Sequence, residues 1–461
     1  MIGYMKFNFK NFGNIDDGLV DVGDLTIICG PNNSGKTYVS YAIYGFYKFF
    51  SQLLVPSIED SLIEDSKIKA LLKQGSTQID LSPFLNKIET HFESASLKFS
   101  STLHEYFNTH EDFFSEAKVS VLPNNVNFNL EKELKAEIHL GNEKNANILL
   151  LLKEYNSGEL NIVFQTSKQN KIPAEIIKHL ISRAISSYFS DNLLNDPFIV
   201  SSERTGVSLF HRSLSKNKSA AFDYISKNDT IDPFELINKM RSDYAQPINN
   251  NIEVVSKSEE GIKTKSYFLK NKTKYQYIFS VLQELIGGKY VIVNKQINFQ
   301  PKKEKNRPST LIPIYLASSS VKSLYLLDLF INTISNENSF LLIDEPELNL
   351  HPDNQRKIAD LIIKLVNSGV KVLITTHSDY IIREFNNRIM LGHSSNKKKL
   401  MKEFGLNDSD ILTADQVRAY TFCNHGINCV DIDTFGMNMK MFDDVINNSN
   451  KIFEKIYYSI D

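Results

Sequence analysis

Apolar positions change their period several times along this chain, and each change marks an element. Lys6–Phe12 and Leu19–Cys29 read as strands across a turn at Asn14–Gly18, and the second ends in the continuous apolar run Leu25–Cys29. Helical spacing follows over Tyr38–Phe50. It continues without sustained heptads from Ser51 to about Ala117 (Leu53, Leu62, Ile68, Leu71, Leu72, Phe84, Ile88, Phe92), which predicts a helical insertion and no long coiled coil. Ala136–Leu140, Ile148–Tyr155 and Leu160–Gln165, separated by Gly141–Asn147 and Asn156–Gly158, predict an antiparallel meander. A helix over Ile176–Leu194 leads to a short strand, Pro197–Val200, and a polar, mostly helical stretch then reaches Gly288. Tyr290–Gln300 and Thr310–Ala317 read as a strand pair, and Ser318–Ile334 as a helix. Strand Phe340–Ile343, helix Asp353–Asn367, strand Val370–Thr375 and helix Ser378–Asn386 then have the β-α-β-α rhythm of a parallel sheet, with one more helix expected near Phe442–Tyr458. The expected organisation is an N-terminal lobe at 1–50, a helical insertion at 51–117, an antiparallel part at 118–170, a second mostly helical insertion at 171–288, a C-terminal lobe at 289–390 and an extension at 391–461.

Two of the strands end in chemistry. Directly after Leu25–Cys29 comes Gly30-Pro31-Asn32-Asn33-Ser34-Gly35-Lys36-Thr37, which matches GxxxxGK[ST], and a helix follows it. Successive backbone N–H groups must wrap a polyanion, which requires glycine where a side chain would obstruct the wrap. Lys36 then supplies a point charge to the β- and γ-phosphates and Thr37 a hydroxyl for Mg²⁺. The strand ending Leu342-Ile343-Asp344-Glu345-Pro346 carries two carboxylates at the edge where parallel sheets bind ligands. Asp344 is expected to hold Mg²⁺, and Glu345 to polarise the attacking water. His377, 33 residues after Asp344, ends the next strand and is placed to sense the γ-phosphate. Ser318, Ser319 and Ser320, the first of them 26 residues before Asp344, open a helix whose hydroxyls and free N–H groups form an anion site; a partner subunit's γ-phosphate would be its ligand.

Composition narrows the setting. A chain of 461 residues can bury more than one core. Its net charge of −2 argues against a wholly basic nucleic-acid coat, and the basic runs Lys263–Lys274, Lys302–Arg307 and Lys397–Lys402 read as solvated loops. Three cysteines cannot build a disulfide framework, and Cys423-x-His425-x3-Cys429 has too few ligands at an unusual spacing for a zinc site. Without a signal peptide pattern or an apolar run of membrane-spanning length, the chain reads as cytoplasmic, with no membrane partner. ATP is the expected nucleotide: Asn294-Lys295-Gln296-Ile297 lacks the Asp of a guanine-specific NKxD motif.

Phosphate loop, serine helix, LLIDEP, a polar turn and TTHS, in that order, resemble the ATP-binding-cassette-type ATPases of the SMC, RecF and Old-nuclease group. GPNNSGKT and ASSSVKSL are similar to the stand-alone "AAA family" ATPases of bacterial phage-defence systems such as Septu and PARIS. The motifs cover 1–50 and about 310–390, and the roughly 300 residues between Lys36 and Asp344 fit a head domain interrupted by insertions. The resemblance implies an α/β P-loop NTPase of ABC/SMC-head type with ATP and Mg²⁺ as cofactors. It makes Lys36 and Thr37 phosphate and metal ligands, Asp344 the metal-side acid, Glu345 the catalytic base and His377 the switch. Ser318–Ser320 would act in trans, Asn349 would belong to the nucleotide site, and the Phe9–Asn14 turn would form the adenine site. Two departures stand out. Ser320 replaces a common glycine, which predicts slow hydrolysis. Where transport ATPases carry a glutamine, this chain has Ser202-Glu203-Arg204; Glu203 is expected at the metal or water and Arg204 at a phosphate, with a surface ion pair as the alternative.

The mechanism this implies is ATP-dependent pairing of two heads, in a homodimer or a higher even-numbered assembly. One expected role is a regulatory ATPase that holds or releases a separately encoded effector, a nuclease, in anti-phage defence. The alternative is a RecF-like ATPase of repair or recombination that binds DNA, and a transporter subunit is disfavoured by the missing glycine-rich signature. A built-in Toprim nuclease is not expected, because Asp431-x-Asp433 lacks a preceding Glu and reads as surface.

Overall fold

Leu25–Cys29 is buried at every position, as expected for a strand covered on both faces of a parallel sheet. The structure, a computed structural model, describes residues 4–124, 130–140, 147–165, 172–214, 244–261, 264–303, 310–438 and 440–460. The chain divides into two units, Met1–Asp21 with Tyr41–Pro197, and Val22–Ser40 with Phe198–Asp461. The expected lobe 1–50 is therefore shared between them. The cause is strand pairing: Leu25–Cys29 lies parallel to both Lys371–Thr376 and Val417–Cys423, which fixes the phosphate loop among C-terminal elements.

In that second unit the strands run in the order Gly426–Cys429, Val417–Cys423, Leu25–Cys29, Lys371–Thr376, Ser339–Asp344, and last the part of strand Asp196–Val200 from Phe198 on. Register aligns the carboxyl ends: Thr376 is opposite Cys29, and Asp344 is opposite Thr375. The Lys371–Thr376 strand stands between the other two, so Asp344 lies two strand spacings, roughly 10 Å, across the sheet from Cys29. The core beneath is mostly aliphatic, with Ile27, Leu341, Ile343, Val372 and Ile374 buried against Ile358, Ile362, Ile381 and Phe385 of the helices Pro352–Asn367 and Asp379–His393.

The other unit pairs Tyr4–Phe12 antiparallel with Ile15–Asp21 and with Lys118–Asn124. Its second sheet holds the expected meander, Leu134–Leu140, Asn147–Lys153 and Glu159–Gln165. A fourth strand, Ser76–Asp80, joins that sheet from inside the segment expected to be helical. Only Ile79 of that strand is buried, so its polar sequence carried no strand periodicity. Phenylalanines fill this unit. Phe46, Phe50, Phe92 and Phe99 pack ring to ring, with Phe50 and Phe92 centroids 4.7 Å apart.

Several boundaries depart from expectation. The helix after the phosphate loop runs Lys36–Ser61, past Phe50 and through Pro56. The second strand begins at Ile15, so Asn14–Gly18 is not all turn, and it stops at Asp21 before a separate Leu25–Cys29. Tyr290–Gln300 is a hairpin, Gly288–Val293 with Gln296–Pro301. Asn294 and Lys295 take φ of 51° and 57°, the double left-handed turn that folds a two-residue hairpin loop. This leaves Ile312–Pro313 as a minimal third strand, followed by a 3₁₀ turn over Ile314–Leu316. The serine helix is α-helical over Ser319–Leu329 and widens to a π-turn at Phe330–Ile334. The helix after His377 extends to His393. Most of Lys302–Arg307 and part of 171–288 lie outside the described residues.

Candidate nucleotide site

Gly30 turns the chain out of the sheet where nothing larger fits: a Cβ there would stand 2.8 Å from Phe422 O and 2.9 Å from Ser34 Oγ. Asn33 (φ 62°) and Gly35 (φ 96°) are left-handed, which curls the loop before Lys36 starts the helix. Lys36 is 6% exposed, and its Nζ donates to Gly30 O at 3.0 Å and Pro31 O at 2.6 Å. Burial lowers its pKa, while Glu345 and then Asp344 pull it back up. The loop thus holds a cation among its own carbonyls, ready for a polyanion.

The acid strand is drawn to the same place. Thr37 Oγ1 donates to Asp344 Oδ2 at 3.1 Å, and Thr375 Oγ1 donates to Asp344 Oδ1. Asp344 is 2% exposed; burial pushes its carboxyl pKa up, the Thr375 bond opposes this, and Glu203 and Glu345 push the same way. Buried carboxylate and threonine hydroxyl together are a hard-oxygen donor set of the kind Mg²⁺ takes. Among the described residues no group of three or more His, Cys, Asp or Glu forms a metal cluster, so such an ion would depend on Thr37, Asp344 and the phosphates themselves. Glu203 is exposed yet close enough to Asp344 to shift it.

Glu345 is left-handed, φ 52°, although it bears a side chain. Its N–H donates to Thr375 O and Oγ1, both at 3.1 Å, and its carboxylate stands 3.8 Å from His377 Nε2. Burial and then Lys36 lower the His377 pKa, with Asp344 opposing, which favours a neutral ring. Glu347 sets the histidine turn: its Oε1 accepts from His377 N at 2.6 Å and its Oε2 from Thr376 Oγ1 at 2.9 Å. Burial raises the Glu347 pKa against those bonds. Thr375, Thr376 and Glu347 escaped sequence reasoning. Their only signal was the spelling of TTHS and the third acid of Asp344-Glu345-Pro346-Glu347.

The remaining candidates fall elsewhere. Arg204, expected at a phosphate or in a surface ion pair, is 2% exposed and donates to the backbone carbonyls of Ser201, Asp344 and Glu345. Its place in the helix Arg204–Leu214, under the acid turn, turns the guanidinium inward. Asn349 donates to Thr205 Oγ1 at 3.1 Å. Ser318 and Ser319 are exposed; Ser318 caps the Ser319–Leu329 helix, and its Oγ lies 2.9 Å from Ser320 Oγ. Cys423 and Cys429 sit on a hairpin in which Cys429 faces Tyr420, three residues from Cys423, so the two thiols point to opposite faces of the sheet.

A model of the AAA ATPase domain matches residues 5–382. The chain belongs to this AAA ATPase domain family. As an AAA ATPase domain it binds and hydrolyses ATP, and its strand order and loop are those of an α/β P-loop NTPase. No curated protein matches it. Solved structures similar to it include three SMC heads. A crystal structure of the SmcHead bound to the C-winged helix domain of ScpA has 13% identity and a TM-score of 0.31, covering 93% of this chain and 97% of that one. An Smc head with an extended coiled coil, bound to the C-terminal domain of ScpA derived from Pyrococcus furiosus, has 12% identity and a TM-score of 0.30, covering 99% and 100%. The SMC head domain from Thermotoga maritima has 13% identity and a TM-score of 0.28, covering 94% and 99%. No described helix of the AAA ATPase domain chain is long and apolar enough to cross a membrane.

Proposed function

We propose that this AAA ATPase domain is a two-state switch in which ATP draws two copies together and hydrolysis separates them. The observation that carries the reading is a division of labour within one chain. Lys36, Thr37, Asp344, Glu345 and His377 are gathered around one loop, whereas Ser318 and Ser319 are exposed at a helix start, where another molecule's nucleotide would take over the bonds that Ser318 Oγ makes to Val321 N and Ser320 Oγ. Thr37 Oγ1 and Asp344 would hold Mg²⁺, which when bound offsets charge on the phosphate oxygens. Lys36 exchanges the carbonyls of Gly30 and Pro31 for phosphate oxygens. Glu345 takes a proton from the attacking water, and neutral His377, held by Glu347, meets the γ-phosphate side. ATP thereby biases an equilibrium between separate and paired heads.

Controlling a separately encoded effector, a nuclease in cytoplasmic anti-phage defence, is the biological role we assign to that switch. Its support is the likeness of GPNNSGKT and ASSSVKSL to defence ATPases. Light scattering of wild type and Glu345→Gln, with and without ATP and Mg²⁺, tests the switch alongside phosphate release. Glu345→Gln is expected to lose about 10²–10⁴-fold in turnover, the usual share of a general base, while gaining an ATP-dependent species of doubled mass. A mass indifferent to ATP, with hydrolysis retained, would sink both the pairing and the role of Glu345. Tight, salt-dependent duplex DNA binding would move the role to repair.

A further inference from the structure

Arg204 grips the acid turn from beneath. Its Nη1 donates to Asp344 O at 2.7 Å and Ser201 O at 3.0 Å, and its Nη2 donates to Glu345 O at 2.6 Å. The carbonyls of Asp344 and Glu345 flank the rotation that sets Glu345 in the left-handed region, which is disfavoured for any residue with a side chain. From the other side, Thr375 takes the Glu345 N–H. The strained residue is therefore clamped at both of its peptide groups: the guanidinium takes the carbonyl of each, and Thr375 takes the N–H of the first.

The same helix start reaches in two further directions. Thr205 Oγ1 accepts from Asn349 Nδ2 at 3.1 Å, at the far end of the acid turn. One turn on, Ser208 Oγ donates to Lys322 O at 3.1 Å, in the helix that Ser318 caps. Beneath Arg204, Asn251 accepts from Ser201 N at 3.0 Å and donates to Ile199 O at 2.6 Å, so the guanidinium is mounted on a fixed strand end. The Arg204–Leu214 helix thus bonds the serine helix on one side and the acid turn on the other.

The geometry points to Arg204 as a positioning residue for hydrolysis, whose planar fork holds the strained Asp344–Glu345 turn in reacting shape and links it to the serine helix. The link to the serines rests on the paired-head reading; the hold on the turn does not. Lysine, a point charge on a flexible stem, cannot reproduce a fork that spans successive carbonyls. A displacement of the Glu345 carboxylate by about 1 Å is enough to cost about 100-fold in rate.

Full-length Arg204→Ala and Arg204→Lys would be compared with wild type for Mg·ATP affinity by titration calorimetry and for kcat and KM by phosphate release. Arg204→Ala is expected to lose about 100-fold in kcat with affinity and KM little changed, and Arg204→Lys to recover part of the rate. A parallel loss of ATP affinity would make Arg204 a phosphate ligand and overturn the proposal, as would wild-type kcat. Should Arg204→Ala fail to fold, Arg204→Lys decides on the same criterion. Glu345→Gln measured alongside separates the failures: if it too keeps wild-type turnover, the acid assignment falls and not merely the part given to Arg204.

Discussion

In the unit of Met1–Asp21 and Tyr41–Pro197, Phe7, Phe9, Phe12, Phe46, Phe50, Phe84, Phe92, Phe99 and Phe189 are all fully buried. In the unit of Val22–Ser40 and Phe198–Asp461 the sheet core is mostly aliphatic, and the interior admits more charge: Lys36, Arg204, Asp344, Lys364, Glu384 and Arg388 are all buried, against Lys153 in the first unit. Aromatic packing has no protonation state and gains with every ring contact. Buried charge costs stability unless each group is paired, and it persists where it does something. The difference teaches how to read substitutions. In the first unit they should register as folding free energy, in the second chiefly as rate.

Phe92→Ala makes the largest demand on that comparison. Its ring lies 4.7 Å from Phe50 and 6.3 Å from Phe46, so truncation leaves a cavity no neighbour can fill and should cost about 3–5 kcal/mol in urea unfolding. Turnover per folded molecule should stay near wild type, and a collapse of turnover in folded protein would break the separation between units. Gly45→Ala is the overpacking counterpart. A Cβ at Gly45 would lie 2.5 Å from Tyr106 Cζ, and the ring cannot step aside because its hydroxyl is bonded to Tyr41 O at 2.8 Å. About 1–3 kcal/mol of stability should be lost.

Asp344→Asn sharpens the comparison from the other unit. Because burial raises the folded pKa of Asp344 above its unfolded value of 3.8, the folded chain holds this proton more tightly than the unfolded chain does. Stability from that group is then present below the unfolded pKa and is lost as pH rises through the folded one. At pH 8 without nucleotide, Asp344→Asn should therefore match or exceed wild type in stability, with the margin closing as pH falls toward 4. Its turnover should vanish. A stability loss at pH 8 would mean that the carboxylate's bonds to Thr37 and Thr375 outweigh its burial.

How much of this could be read beforehand follows the same division. The phosphate loop, the acid strand and the histidine strand were legible because backbone geometry dictates their residue types: glycine at Gly30 and Gly35, and apolar runs ending in polar tips at Asp344 and Thr376. The groups that hold those tips were not. Arg204 and Glu347 work through backbone atoms of residues far away or around a turn, and no periodicity encodes which carbonyl or N–H a side chain will meet. The Gly288–Pro301 hairpin stayed hidden because Asn294-Lys295 lacks the glycine that usually marks such a turn. Ser76–Asp80 stayed hidden because it is an edge strand with one buried residue, and pairing with Glu159–Gln165 supplied what its own pattern lacked.

The smallest effect tests the comparison most delicately, through two helical glycines that differ only in surroundings. Gly206 lies in the first turn of the Arg204–Leu214 helix, and a Cβ built there meets nothing within 4 Å. Where Gly45 is walled in by Tyr106, Gly206→Ala has space and a helical backbone, so the methyl should act mainly by restricting the unfolded chain. A gain of about 0.5–1 kcal/mol is expected in urea unfolding. The rate supplies the second reading. If the helix start serves only as a rigid mount for Arg204, stiffening it should leave kcat where it was. If kcat instead falls while stability rises, the helix must flex during turnover, and the acid turn is carried by a moving part and not by a fixed one.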